Sequence, residues 1–175
     1  MIAPKSLSSQ FKTWNRRWSS PYGSRAFSFV ANFEKLKHNL FFVYFHGIFG
    51  LQTNSSTRIY EYPWVYYSTP LEKGMKALDI GGGFGGFQFV LSKSGLNVTN
   101  VDPGDPEYSW NYKKDFFAKL NRIFRTNVTL IQTTLDKAKL KSNSFDRVFC
   151  ISVLEHLTDE ERKTVARDVS KVLKP

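Results

Sequence analysis

The ten residues "ALDIGGGFGG", Ala77 to Gly86, constrain this chain more than any other stretch, because an apolar run empties into five glycines within six positions. A buried strand that delivers the chain into a glycine-dense turn opens an α/β unit in which backbone, rather than side chains, closely approaches a ligand. The next residues, "FGGFQFVLSKSG", place Phe84, Phe87, Val90 and Leu91 on one helical face, and Gly95 is positioned to end that helix. "NVTNV" from Asn97 reads as a second strand ending at Asp102, followed by the turn "DPGDPE".

The alternation continues. "YSWNYKKDFFAKLNRIFR" has helical spacing at Phe116, Phe117, Leu120, Ile123 and Phe124, and leads into the strand "VTLIQ". "FDRVFCISVL" is a near-continuous apolar run of the kind found in a strand covered on both faces. In the helix that follows, Thr158 and Glu161 form a capping box, with Val165, Val169, Val172 and Leu173 as the inner stripe. Four strands alternating with helices predict an α/β fold built on a parallel sheet.

The turn fits two patterns. Gly81, Gly83 and Gly86 satisfy G-x-G-x-x-G, the signature of a dinucleotide whose pyrophosphate meets a helix N-terminus. Asp79, Gly81, Gly83 and Gly85 satisfy D-x-G-x-G-x-G, in which an acid precedes the glycines and suits a cationic ligand such as S-adenosylmethionine. Asp102, 17 positions past Gly85 at a strand end, suits ribose hydroxyls in either case.

Taken in order, "ALDIGGGFGG", "NVDPG" and "SNSFDRVFCISVLEHLTDEE" resemble the class I S-adenosylmethionine-dependent methyltransferases, close to their type 11 group. Ser144, Phe145, Asp146, Val148, Leu154 and His156 fit that family's phrase around its fourth strand, and the terminal "VLKP" is similar to its turn before a fifth. The resemblance covers about Leu71 to Pro175. It implies a Rossmann-like sheet of order 3-2-1-4, with S-adenosylmethionine as cofactor. It further implies that Asp79, Gly81, Gly83 and Gly85 hold the methionine part, that Asp102 holds the ribose, and that Thr134 and Leu135 lie at the adenine. Family members often place an acid there; this chain has Thr134, with Asp136 two residues on. The family also continues into further C-terminal strands, so the resemblance implies a fragment of a longer protein and an edge strand in need of a cover.

Upstream, residues 1–70 form an expected cap and residues 71–175 the cofactor-binding domain. The first 70 residues hold 17 of the 28 aromatic side chains, too many for a disordered tail, and eight basic side chains against Glu34 and Glu61. "FVANFEKLKHNLFFVYF" has helical spacing at Phe29, Phe33, Leu36 and Leu40, whereas Tyr60, Tyr62, Trp64, Tyr66 and Tyr67 of "YEYPWVYY" alternate so that one set shares a single face if the segment is extended. Against a net charge of +10, the basic face reads as a solvated surface over an aromatic cluster, with RNA as the alternative partner.

The longest apolar run, Leu40 to Leu51, is shorter than a membrane span and contains His46. With one cysteine, Cys150, and no secretory leader, a cytoplasmic protein is expected. No His, Cys, Asp or Glu cluster has metal-ligand spacing, so no metal is expected.

Methyl transfer to a small molecule, glycan or lipid-linked acceptor is the expected function, since this family often builds its acceptor site from an N-terminal cap. Glu155 and His156, after the fourth strand, are the candidate catalytic pair if a hydroxyl acceptor must lose its proton, and equally a polar lead into the capped helix. A nicotinamide-dependent oxidoreductase and a non-catalytic cofactor-binding or scaffolding subunit are the competing functions.

Overall fold

The computed structural model describes residues 6–24, 40–51, 55–104 and 114–175. Three helices precede the sheet: α1 (Ser9–Trp18), α2 (Leu40–His46) and α3 (Arg58–Tyr67). Then come β1 (Lys76–Ile80), α4 (Gly86–Lys93), β2 (Asn97–Val101), α5 (Lys114–Phe124), β3 (Thr129–Ile131), β4 (Arg147–Cys150) and α6 (Asp159–Val172). The four strands are parallel in the order β3-β2-β1-β4, as the family resemblance implies.

Period-2 alternation in the central strands sorts side chains between two layers. On one face, Ala77 of β1 and Val98 of β2 join α4, α5 and the N-terminal helices in one apolar core. On the other, Leu78, Ile80 and Val101 pack with Phe145, Val172, Val165 and Val169 under α6. Helices on both faces of a parallel sheet leave its C-terminal strand ends open to a ligand. The expected capping box is present: the Thr158 hydroxyl accepts from Glu161 N–H, and the Glu161 carboxylate accepts from Thr158 N–H at 2.8 Å.

Aromatic rings dock the N-terminal helices onto the first α/β unit. Trp14, 2% exposed, lies 6.1 Å from Phe49 and 6.5 Å from Tyr62 between centroids, and Tyr62 stacks on Phe87 of α4 at 5.6 Å. Each such pair adds about 0.5–1.5 kcal/mol beyond the area it buries. Phe49 presses so closely on the start of α4 that a Cβ at Gly86 would lie 2.4 Å from its ring. The N-terminal helices and the α/β unit therefore share a core.

Two sequence expectations are corrected. "YEYPWVYY" is helical, not extended, and lies within α3 with Pro63 inside it. A proline there removes the N–H that would bond the Ile59 carbonyl one turn back. Asn15 of α1 supplies the substitute, its Nδ2 donating to Ile59 O at 2.8 Å. Helical spacing turns Tyr62 inward onto Phe87, a gain that an isolated extended segment lacks. In β4 only Phe149 is buried, while Val148 and Cys150 are half-buried, because among the described residues this strand pairs only with β1. The expected helical residues Phe29, Phe33 and Leu36 lie outside the described residues, as does the start of the third expected helix before Lys114.

Candidate cofactor site

The site begins with strand register. Asp79 of β1 faces Asn100 of β2 and Phe149 of β4 across the sheet, and the alternation that buries Leu78 and Ile80 on the α6 side turns Asp79 to the opposite face, the one shared with α4 and the N-terminal helices. Its carboxylate lies beneath the glycine turn: a Cβ on Gly82 would fall 2.5 Å from Asp79 Oδ2. Gly81 has φ +69°, and a Cβ there would also strike Val153 at 2.4 Å, so the turn needs glycine at this point.

Two buried amides, neither apparent from the motif, hold the turn from within. Gln88 Nε2 donates to the carbonyls of Gly83 at 2.9 Å and Gly85 at 3.0 Å, and Asn100 Nδ2 donates to Gly83 O at 3.0 Å. Both side chains are fully buried. Such cross-bracing fixes the turn before a ligand arrives, which lowers the ordering cost of binding. At the end of β2, Asp102 Oδ2 accepts from Gly83 N–H at 2.8 Å and Oδ1 from Gly104 N–H at 2.7 Å, so the expected ribose carboxylate is fastened to the same turn.

A cavity of about 200 Å³ opens beside these residues. It is lined by Asp79, Gly81, Gly82, Gly83 and Gly85, by the rings of Phe84, Phe87 and Tyr62, and by Arg58, Ile151 and Ser152. Asp79 is 4% exposed, and burial, reinforced by the neighbouring Asp102 charge, pushes its carboxyl up to about 7. A carboxylate held this way gains from a cation placed beside it and repels a diphosphate. The donor set thus fits the sulfonium and ammonium of S-adenosylmethionine and opposes the pyrophosphate of a dinucleotide.

The remaining expected residues lie around this centre. Thr134, exposed, caps the 3-10 turn Leu135–Lys137 after β3, and Leu135 is half-buried in the α6-side core. Both follow the C-terminal end of β3, where Asp102 N–H bonds Ile131 O, and neither is among the residues lining the cavity. The Asp136 carboxyl is held below its usual range, chiefly by a hydrogen bond from Thr134. Glu155 and His156 are exposed on the 3-10 turn Leu154–His156, beyond the cavity wall at Ile151 and Ser152.

Residues 78–175 match the family described as a methyltransferase domain, type 11. The chain belongs to this family. Its members take S-adenosylmethionine as cofactor, in agreement with the acid-and-glycine cradle. A curated relative, the ubiquinone biosynthesis O-methyltransferase of Vibrio parahaemolyticus, is 32% identical over 104 residues, covering 58% of this chain and 40% of that protein. An S-adenosylmethionine-dependent methyltransferase of Mesorhizobium loti has a TM-score of 0.50 at 26% identity, over 66% of this chain and 49% of that one. One from Aquifex aeolicus reaches a TM-score of 0.55 at 23% identity, a likeness of fold, over 73% of this chain and 66% of that one. The chain thus spans less than half the length of the curated relative it matches. No helix among the described residues is long and apolar enough to cross a membrane.

Proposed function

We propose that this chain transfers a methyl group from S-adenosylmethionine to a small-molecule acceptor, a glycan or lipid-linked intermediate included. The supporting observation is the placement of Asp79 against the glycine turn, with Asp102 at the neighbouring strand end bonded to the same turn. Asp79 favours the cationic end of the cofactor, the turn admits it closely, and Asp102 retains lone pairs for ribose hydroxyls. The bound cofactor supplies an already activated methyl on sulfonium, so the chain's own task is to position the acceptor and exclude water.

Phe84, Phe87 and Tyr62 supply the apolar wall for that exclusion. Thr134 and Leu135 are the proposed neighbours of the adenine. Glu155 and His156 are the proposed recipients of the proton if the acceptor is a hydroxyl, in keeping with the O-methyltransferase named for Vibrio. The test is methyl transfer from labelled S-adenosylmethionine to a panel of phenols, hydroxylated glycans and quinol precursors. Stoichiometric S-adenosylhomocysteine formation that depends on one acceptor class supports the proposal. A chain that binds S-adenosylhomocysteine and methylates no acceptor is instead a cofactor-binding subunit.

A further inference from the structure

We propose that the outward face of α1 and α3 is a docking surface for an anionic lipid bilayer. With about 3.6 residues to a turn, Tyr60, Trp64 and Tyr67 fall on one side of α3, away from Tyr62 and Tyr66, which pack on Trp14. Trp64 is 53% exposed and Tyr67 43%. Helix α1 runs antiparallel beside this stripe: Phe11 stacks on Tyr67 at 6.4 Å, and one turn on Asn15 reaches Ile59 O near the other end of α3. With Trp14 in the core and Phe11 and Asn15 against α3, the helical period carries Lys12 and Arg16, one turn apart, to the outer side next to the aromatic stripe. Both are exposed.

Charge complementarity selects the occupant. Among the described residues neither Lys12 nor Arg16 makes an ion pair, and Arg17, also exposed, lies with its guanidinium 5.1 Å from the Trp18 ring centroid. Glu61, the one acid on either helix, is bonded to Arg58, and the chain carries no acid before Glu34. Each Lys or Arg at an anionic leaflet raises partitioning about fivefold. Exposed Trp and Tyr suit the same surface, because the ring bodies enter the headgroup layer while the indole N–H and phenol hydroxyl stay hydrated. A nucleic-acid strand, the competing anion, is held in a basic groove that threads its bases over aromatic rings, whereas the groove between α1 and α3 is filled by Phe11 and Tyr67. Arg58 and Tyr62 of α3 line the cavity, so docking here holds the cavity within roughly one helix diameter, about 10 Å, of the bilayer, where an acceptor with a lipid tail is found.

The test is flotation of the chain with vesicles of phosphatidylcholine alone and of phosphatidylcholine mixed in equal parts with phosphatidylglycerol. Wild type is expected to float with the anionic vesicles and not with the neutral ones, and to be released as salt is raised. The double variant Lys12→Gln with Arg16→Gln is expected to partition about 25-fold more weakly, and Trp64→Gln about five- to tenfold more weakly. All three side chains are exposed, so the thermal unfolding midpoints of the variants are expected to match wild type, which separates lost docking from lost folding; if the double variant does not fold, Trp64→Gln carries the test. Equal flotation with both kinds of vesicle, no flotation with either, or anionic binding that neither variant weakens overturns the proposal. Tighter binding to a single-stranded RNA oligonucleotide than to the anionic vesicles, lost in the same variants, overturns it in favour of a nucleic-acid surface. None of these readouts involves S-adenosylhomocysteine, so the cofactor reading stands or falls separately.

Discussion

Replacing Asp79 with Asn should make the ligand-free protein more stable at neutral and alkaline pH, although it removes a residue of the proposed cofactor site. Asp79 is buried under the glycine turn, and its carboxyl rises from 3.8 to about 7 through burial first and the Asp102 charge second. Between those two values the folded chain holds a proton that the unfolded chain has released, so stability falls as pH rises and reaches its full loss above the folded value. A displacement of about three units at 1.36 kcal/mol each corresponds to roughly 4 kcal/mol. Asn has the same shape and does not ionise. In urea unfolding from pH 5 to 8, the stability of Asp79→Asn minus that of wild type should grow by about 1.4 kcal/mol per pH unit up to about pH 7 and then level off. The slope is the test, because a constant offset from altered hydrogen bonding does not depend on pH. A difference that stays flat, or that shrinks as pH rises, refutes the burial argument. The same linkage predicts that wild-type affinity for S-adenosylhomocysteine climbs with pH below about 7, by at most about tenfold per unit, and that Asp79→Asn abolishes the climb.

Further outcomes concern packing and helix capping. Asn15→Ala should cost about 1–3 kcal/mol in thermal or urea unfolding, because the Ile59 carbonyl that Pro63 leaves unpaired loses its donor; a cost near zero would show that solvent reaches that carbonyl. Gly86→Ala should cost about 1–3 kcal/mol, since the new methyl meets the Phe49 ring at 2.4 Å, and pairing it with Phe49→Leu should recover part of the loss. Thr158→Ala should destabilise by about 0.5–2 kcal/mol through loss of the α6 capping box, with S-adenosylhomocysteine binding unchanged.

What the sequence disclosed was local. The glycine turn, the end of β2 at Asp102 and the Thr158 cap each depend on residues within a few positions, and the sheet order follows from the family resemblance. Residues that act across the fold gave no such signal. Asn15 and Ile59 meet 44 positions apart, and Pro63 inside α3 makes sense only once that bond is known. Tyrosine alternation suggested an extended segment because the burial of Tyr62 against Phe87 is a tertiary gain. Arg58 and Ser152, 94 positions apart, gave no hint of sharing a cavity wall. Gln88 and Asn100 could have been flagged as polar residues within otherwise apolar elements beside the turn; each is fully buried because the turn's carbonyls need donors.

The central claim is that the turn with Asp79 and Asp102 holds S-adenosylmethionine and not a dinucleotide. The direct measurement is a calorimetric titration of the chain with S-adenosylhomocysteine and, separately, with NAD, repeated on Asp102→Asn. The account predicts saturable binding of S-adenosylhomocysteine alone, weakened about 10- to 100-fold by the substitution as a charge-assisted ribose contact is lost. Binding of NAD in its place, or S-adenosylhomocysteine binding indifferent to Asp102, would contradict it.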